Sequence, residues 1–232
     1  MSRLILVIGK AGRGKSTAMR RMDPNSTFII NVLGKELPFA KATQYLEGEN
    51  LLTTASGPTI LREMQRISQQ PRFKDLVIDD LQYVMATEFM EKAFVKGYDK
   101  FTQMAKNIWD ILRSGSTLRS DLHVWALTHE DDSGSERKMK TLGRLLDEKL
   151  TPEGMATIVL FADVRVHDNG LRTYYFQTQS DGVTNAKSPI GLFPPYVPND
   201  LQLLTQRIRE YYEEGVEEWE KSRYASELAL QL

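Results

Sequence analysis

Cysteine is missing from all 232 residues, which excludes disulfides and thiolate metal sites and suits a reducing cytoplasm. Histidine is scarce: His123, His129 and His167 are scattered, and no pair has metal-ligand spacing. No apolar stretch approaches the roughly 20 residues that a membrane span requires. The N-terminus runs straight into an apolar strand pattern, without the profile of a signal peptide. An excess of one charge is lacking too. With 30 Lys and Arg against 31 Asp and Glu the net charge is −1, so no global positive field draws in nucleic acid. Any polyanion contact must come from a local patch.

What is present fits one sizeable α/β domain with its own core, at 41% hydrophobic residues. Apolar runs alternate with helical patterns, the mark of a mostly parallel sheet flanked by helices. Leu4–Ile8, Thr27–Val32, Leu76–Ile78 and Leu122–Leu127 read as strands. A helix opening at Gly14 or Lys15 is cut short by Asp23-Pro24. Ile60, Leu61, Met64 and Ile67 keep helical spacing, as do Phe101, Met104, Ala105, Ile108, Ile111 and Leu112; both stripes read as core faces. Thr157–Arg165 and Arg172–Gln179 flank Asn169-Gly170, a strong hairpin signal. From Pro198 a helix is expected, with Leu201, Leu204, Ile208 and Tyr211 or Tyr212 on one face, turning acidic and solvated or partner-facing around Glu213–Glu220. The chain thus divides into a core at 1–197, hairpin 157–179 included, and a helical tail at 198–232.

Gly9-x-x-x-x-Gly14-Lys15-Ser16, behind a strand and ahead of a helix, fits the full Walker A pattern. Glycines there let successive backbone N–H groups close around phosphate oxygens with no Cβ in the way, and the helix aims its positive end at the same anion. The expected nucleotide cradle is Gly9, Lys10, Ala11, Gly12, Arg13, Gly14, Lys15, Ser16 and Thr17. Lys15 would neutralise β- and γ-phosphate charge, Ser16 would ligate Mg²⁺, and Thr17 would lie beside the α-phosphate of ATP. A glycine turn that merely opens a helix is the plainer alternative, and the complete pattern in this context outweighs it.

Leu76-Val77-Ile78-Asp79-Asp80 supplies the second half. An apolar strand ending in a carboxylate is expected to place Asp79 beside the first strand, where it holds Mg²⁺ through water. Asp80 either polarises an attacking water or caps the next helix. The strand at Leu122–Leu127 ends in Thr128-His129-Glu130, and ligands of parallel sheets gather at such carboxyl ends. Thr128 or His129 can there sense the γ-phosphate and pass that state to the following loop; a histidine simply hydrogen-bonded at a strand end is the bland alternative.

Taken in order, the Walker A stretch, "LVIDD", a long helical segment, "WALTHE", a polar loop and "YYFQTQSDGVTNAKSPIGLF" resemble the phage-encoded, RecA-like P-loop ATPases that include single-strand annealing and recombination proteins. The resemblance covers most of residues 3 to 200. It implies a RecA-type core that binds ATP and Mg²⁺, contacts single-stranded DNA through two loops, and assembles into a homo-oligomeric filament or ring. The sequence does not say whether a cognate single-strand binding protein is a partner; no membrane contact is expected, and the expected place is the cytoplasm, that of a host cell if the chain is phage-encoded. Such cores carry a catalytic glutamate at the end of the second strand. Here Asn31, Val32 and Leu33 stand in its place and Glu36 lies beyond the register, which leaves Asp80 to activate water and predicts a slow ATPase.

Two segments would carry the DNA loops that the resemblance implies. Tyr83 to Phe101 interleaves Phe89, Phe94, Tyr98 and Phe101 with Lys92, Lys96 and Lys100. Asp131–Lys149 carries Arg137, Lys138, Lys140, Arg144 and Lys149 behind Ser133-Gly134-Ser135, and is preferred as the Gly/Ser-rich, locally basic loop. The aromatics of the first segment serve equally well as core. Carried over from RecA-like assemblies, Lys187 would reach a neighbouring subunit's γ-phosphate as an arginine finger does, or else sit in a surface turn. Two other readings use the same residues: a phosphotransferase with the basic loop as lid over an acceptor phosphate, and a nucleotide-gated assembly or loading factor.

Overall fold

Strand β1 (Arg3–Ile8) is buried from Leu4 onward, and its alternate residues feed two separate cores. The computed structural model describes residues 1–131, 134, 136–142 and 151–214. After β1 come β2 (Thr27–Asn31), β3 (Leu51–Thr53), helix α1 (Gly57–Ser68), β4 (Asp75–Asp79), α2 (Gln82–Glu91) and α3 (Asp99–Gly115). Then follow β5 (His123–Thr128), the short pair β6 (Glu130–Asp131) and β7 (Lys138–Met139), α4 (Pro152–Met155), β8 (Ile158–Val166), β9 (Arg172–Gln177), β10 (Tyr196–Pro198) and α5 (Leu201–Glu214). The sheet order is β10-β9-β8-β1-β5-β4-β2-β3, parallel from β8 to β3, with the β8–β9 hairpin turning antiparallel at Gly170. This is the α/β, mostly parallel architecture that the alternating pattern predicts.

Strand pleating sets the two cores. Leu4, Leu6 and Ile8 face α1 and α3, meeting Ile60, Met64, Ile67, Met104, Ile108, Ile111 and Leu112, so both helical stripes are core faces. Ile5 and Val7 face the other way, onto Val77, Trp125, Leu127, Met19 and α5. The apolar face of α5 is Leu201, Leu204, Ile208 and Tyr211; Tyr212 is 40% exposed. The first part of the tail is therefore an integral wall of the second core, while residues 215–220 of its acidic stretch lie outside the described residues. Among the described residues, no helix is long and apolar enough to cross a membrane.

One expectation about neighbours is corrected. β4 is not beside β1, because β5 pairs with both and lies between them. Strand order is set by crossovers that join distant parts of the chain, and an apolar pattern identifies strands without ordering them. The short helix after the phosphate loop is a 3₁₀ segment, Ser16–Arg21, ahead of Asp23-Pro24.

Candidate functional site

The carboxyl ends of four neighbouring strands, β1, β5, β4 and β2, lead into one polar cluster. At the end of β1, Gly9 lies so close to β8 that a Cβ would stand 2.8 Å from the Ala162 carbonyl oxygen. Gly14 has φ +82°, and a Cβ there would lie 3.1 Å from the Tyr174 ring and 3.2 Å from Asn199 Oδ1. The loop between them is thereby clamped against β8, β9 and the lead into α5. Arg13 pairs with Asp163 at 2.7 Å, while Lys10, Ala11, Gly12 and Thr17 are exposed.

Lys15 is buried, with Nζ donating to the carbonyls of Gly9 at 2.7 Å and Lys10 at 3.1 Å. Burial lowers its pKa from the ordinary 10.5, against the attraction of Asp80 and Asp79. Ser16 Oγ donates to Asp79 Oδ1 at 2.9 Å, spanning the gap that β5 opens between β1 and β4. Burial, reinforced by the neighbouring Asp80, pushes the Asp79 carboxyl up to about 6, despite the Ser16 hydrogen bond and the two lysines. The hydroxyl and carboxylate oxygens that Mg²⁺ favours thus already touch each other. Among the described residues no cluster of three acids or imidazoles forms a metal cage. Magnesium held by one or two protein oxygens together with substrate phosphates requires none.

Asp80 is occupied on both oxygens. Lys35 Nζ lies 2.5 Å from Oδ2, and His129 Nε2 lies 3.3 Å from Oδ1. Burial alone would raise its pKa, but the contacts with His129 and Lys35 outweigh it and hold the carboxyl at about 2. Its φ of 65° is the one positive value among described non-glycine residues, a conformation costing about 1–2 kcal/mol for an L-residue. The side chain does not cap α2, whose N-terminus has no side-chain cap; that alternative is ruled out because both carboxylate oxygens point to other partners. Tyr83 packs edge-on to His129 with centroids 5.8 Å apart and lies under Lys35 Nζ at 5.8 Å.

Lys35 carries no signal of its own in the sequence. Its place comes from Asn31 at the end of β2, opposite Asp79 in register. The Asn31 side chain accepts from Gly34 N–H at 2.9 Å and donates to the Lys35 carbonyl at 2.6 Å, turning the chain back over the site. Thr128 pairs in register with Ile8, is fully buried, and its hydroxyl has no hydrogen-bond partner.

The residues after β5 divide. Arg137 binds buried Glu130 through two hydrogen bonds of 2.6 and 2.9 Å and reaches Asp163 at 3.2 Å, so its guanidinium faces carboxylates rather than solvent. Lys138 lies in β7; Lys140 is exposed, and its N–H donates to the His129 carbonyl at 2.8 Å. Arg144 and Lys149 lie outside the described residues. Lys187 is half-buried and exchanges backbone hydrogen bonds of 2.8 and 2.9 Å with Val159, in register with Leu6 and short of the strand ends. In the other segment Phe101 packs on the core and Lys92 pairs with Glu88, but Phe94 is 99% and Tyr98 87% exposed.

No protein-family model matches the chain, and no curated protein does. Among solved structures, a KaiC-like protein from the hyperthermophilic archaeon Pyrococcus horikoshii OT3 is similar over 75% of this chain and 76% of that one, at 13% identity and a TM-score of 0.47. The likeness is one of fold.

Proposed function

We propose that the chain binds ATP with Mg²⁺ at this site, hydrolyses it slowly, and uses the bound state to hold single-stranded DNA. The observation that carries the nucleotide reading is the Ser16–Asp79 contact at 2.9 Å directly behind a buried Lys15. Lys15 and the loop amides would hold the phosphates, Ser16 and Asp79 the metal, and the metal would neutralise charge developing on the transferred phosphoryl group. Slow turnover follows from what stands around that group. Asn31 fills the position of a catalytic acid and is tied to its own loop.

For the strand, support shifts from Arg137 to the exposed segment around Phe94 and Tyr98, where Lys96 is also exposed. Bases stack on free aromatic faces, and a phosphate would pair with the exposed Lys96. Phe94→Ala with Tyr98→Ala is expected to weaken single-strand binding by about 1–3 kcal/mol for each stacked base lost, with the melting temperature unchanged. Filter binding of labelled single strands checks this. Lys140, bonded to His129, offers the route by which a γ-phosphate signal would reach the second loop.

The deciding experiment is filter binding with ATP, a non-hydrolysable analogue or no nucleotide, alongside calorimetry of Mg²⁺-ATP uptake. Strand binding that needs ATP and raises its hydrolysis supports the reading; phosphate appearing on an added nucleotide instead makes the chain a phosphotransferase. Nucleotide uptake with neither effect leaves an assembly or loading factor. In a filament or ring, Lys187→Ala would lower the ATPase of the assembled form alone.

A further inference from the structure

Lys15 and Lys35 both bear on Asp79 and Asp80 at the phosphate end of this site, and the nucleotide reading uses Lys15 alone of the two. Lys15 is fixed, buried and bonded to its own loop. Lys35 is different: its backbone is stapled by Asn31, yet its side chain is 59% exposed, lies over the Tyr83 ring and pairs with Asp80. It stands near enough to Lys15 to oppose that residue's charge. An ammonium on a flexible stem above an anchored backbone can exchange one oxyanion for another without moving the loop. On the nucleotide reading a γ-phosphate comes to rest beside Lys15, and it carries more charge than the carboxylate that Lys35 holds.

Resting on the nucleotide reading above, we propose that Lys35 is a second phosphate-binding lysine, paired with Asp80 in the absence of nucleotide and transferred to the γ-phosphate when a nucleoside triphosphate enters. The exchange keeps Lys35 paired throughout and releases Oδ2 of Asp80, leaving His129 as its remaining partner. A diphosphate has no γ-oxygen to offer, so with ADP the lysine stays on Asp80. Lys35 is thus the residue through which the site tells triphosphate from diphosphate.

Calorimetry of the full chain with Mg²⁺ and either AMP-PNP or ADP tests this without hydrolysis. Lys35→Ala is expected to weaken AMP-PNP about tenfold or more, the loss of one charged hydrogen bond, and to leave ADP affinity within about twofold, which also reports an intact fold. Lys35→Arg should retain the preference. Equal losses on both nucleotides, or none on AMP-PNP, overturn the proposal. Because a bare Asp80 would itself repel the triphosphate, the same pair is measured in an Asp80→Asn background. A loss that persists there supports a direct contact; one that vanishes means Lys35 only screened Asp80, and the proposal fails. A wild-type chain that takes up neither nucleotide defeats the nucleotide reading instead, whatever the Lys35 variants do.

Discussion

Asp75→Ala is expected to cost the fold about 2–5 kcal/mol, from the indole N–H and hydroxyl it leaves buried and unpaired and from the loss of a half-exposed arginine's partner. Asp75 opens β4 at the end of the sheet remote from the phosphate loop, and it is 2% exposed. Its Oδ1 accepts from Trp125 Nε1 at 3.0 Å and Thr205 Oγ1 at 2.7 Å, and its Oδ2 from Arg209 at 2.6 Å. The fully buried His123 stands 3.5 Å away. Removing the carboxylate strands an arginine, an indole N–H and a hydroxyl at once, and it frees the side of α5 that Thr205 and Arg209 hold against the sheet. Burial pushes the Asp75 pKa up, but His123, Arg209 and Thr205 outweigh it and set the folded value below the ordinary 3.8. A carboxyl lowered on folding stabilises above its unfolded pKa, and that contribution is lost as pH falls from about 3.8 through the folded value. Urea titrations at pH 7 and pH 3 should therefore show a large gap between wild type and variant that narrows in acid. A loss under about 1 kcal/mol at pH 7 would mean that α5 does not depend on this clasp.

The same residue shows why part of the molecule was legible and part was not. Strands buried on both faces read as continuous apolar runs, so β1, β2, β4 and β5 stand out in the sequence to within two residues at each end. A strand reading that begins at Leu76 leaves Asp75 in the preceding turn, since a carboxylate looks out of place in a core strand. Only register shows otherwise: Arg3, His123 and Asp75 are level across β1, β5 and β4, a polar row built from three distant stretches. The site divides in the same way. Lys15, Ser16 and Asp79 are visible because phosphate chemistry demands them at fixed local spacing. Lys35 resembles any surface lysine until Asn31 is seen to fold its loop over β4. Arg137 reads as basic and loop-borne, and the sequence holds nothing to say that Glu130 and Asp163 claim it. Short-range chemistry is written locally, whereas pairing across the sheet edge depends on the order of strands.

Asp79→Asn is expected to move stability and function in opposite directions. The folded chain holds the Asp79 carboxyl at about 6 against an ordinary 3.8. At about 1.4 kcal/mol per pH unit, the ionised acid costs the fold roughly 3 kcal/mol at neutral pH without a cation beside it. For a carboxyl raised on folding, stability is full below the unfolded value and is lost as pH rises through the folded one, here between 3.8 and about 6. Asparagine keeps an oxygen for the Ser16 hydroxyl and carries no charge, so the variant should gain about 1–3 kcal/mol at pH 7, after an allowance for its new N–H donors. The gain should disappear below pH 4, where wild type is itself protonated. Mg²⁺ loses its carboxylate in the same step, and the enhancement of nucleotide affinity by Mg²⁺ should fall at least about tenfold. In wild type the proton competes with the metal, so that enhancement should also fade as pH drops below about 6. Thermal melts across pH, paired with calorimetry in Mg²⁺ and in EDTA, read both effects. A variant that melts lower than wild type at pH 7 removes the burial argument, and one that binds Mg²⁺-nucleotide normally removes Asp79 from the metal. The two outcomes are independent, because the cost arises from a carboxylate kept out of water and the function from the cation that repays it.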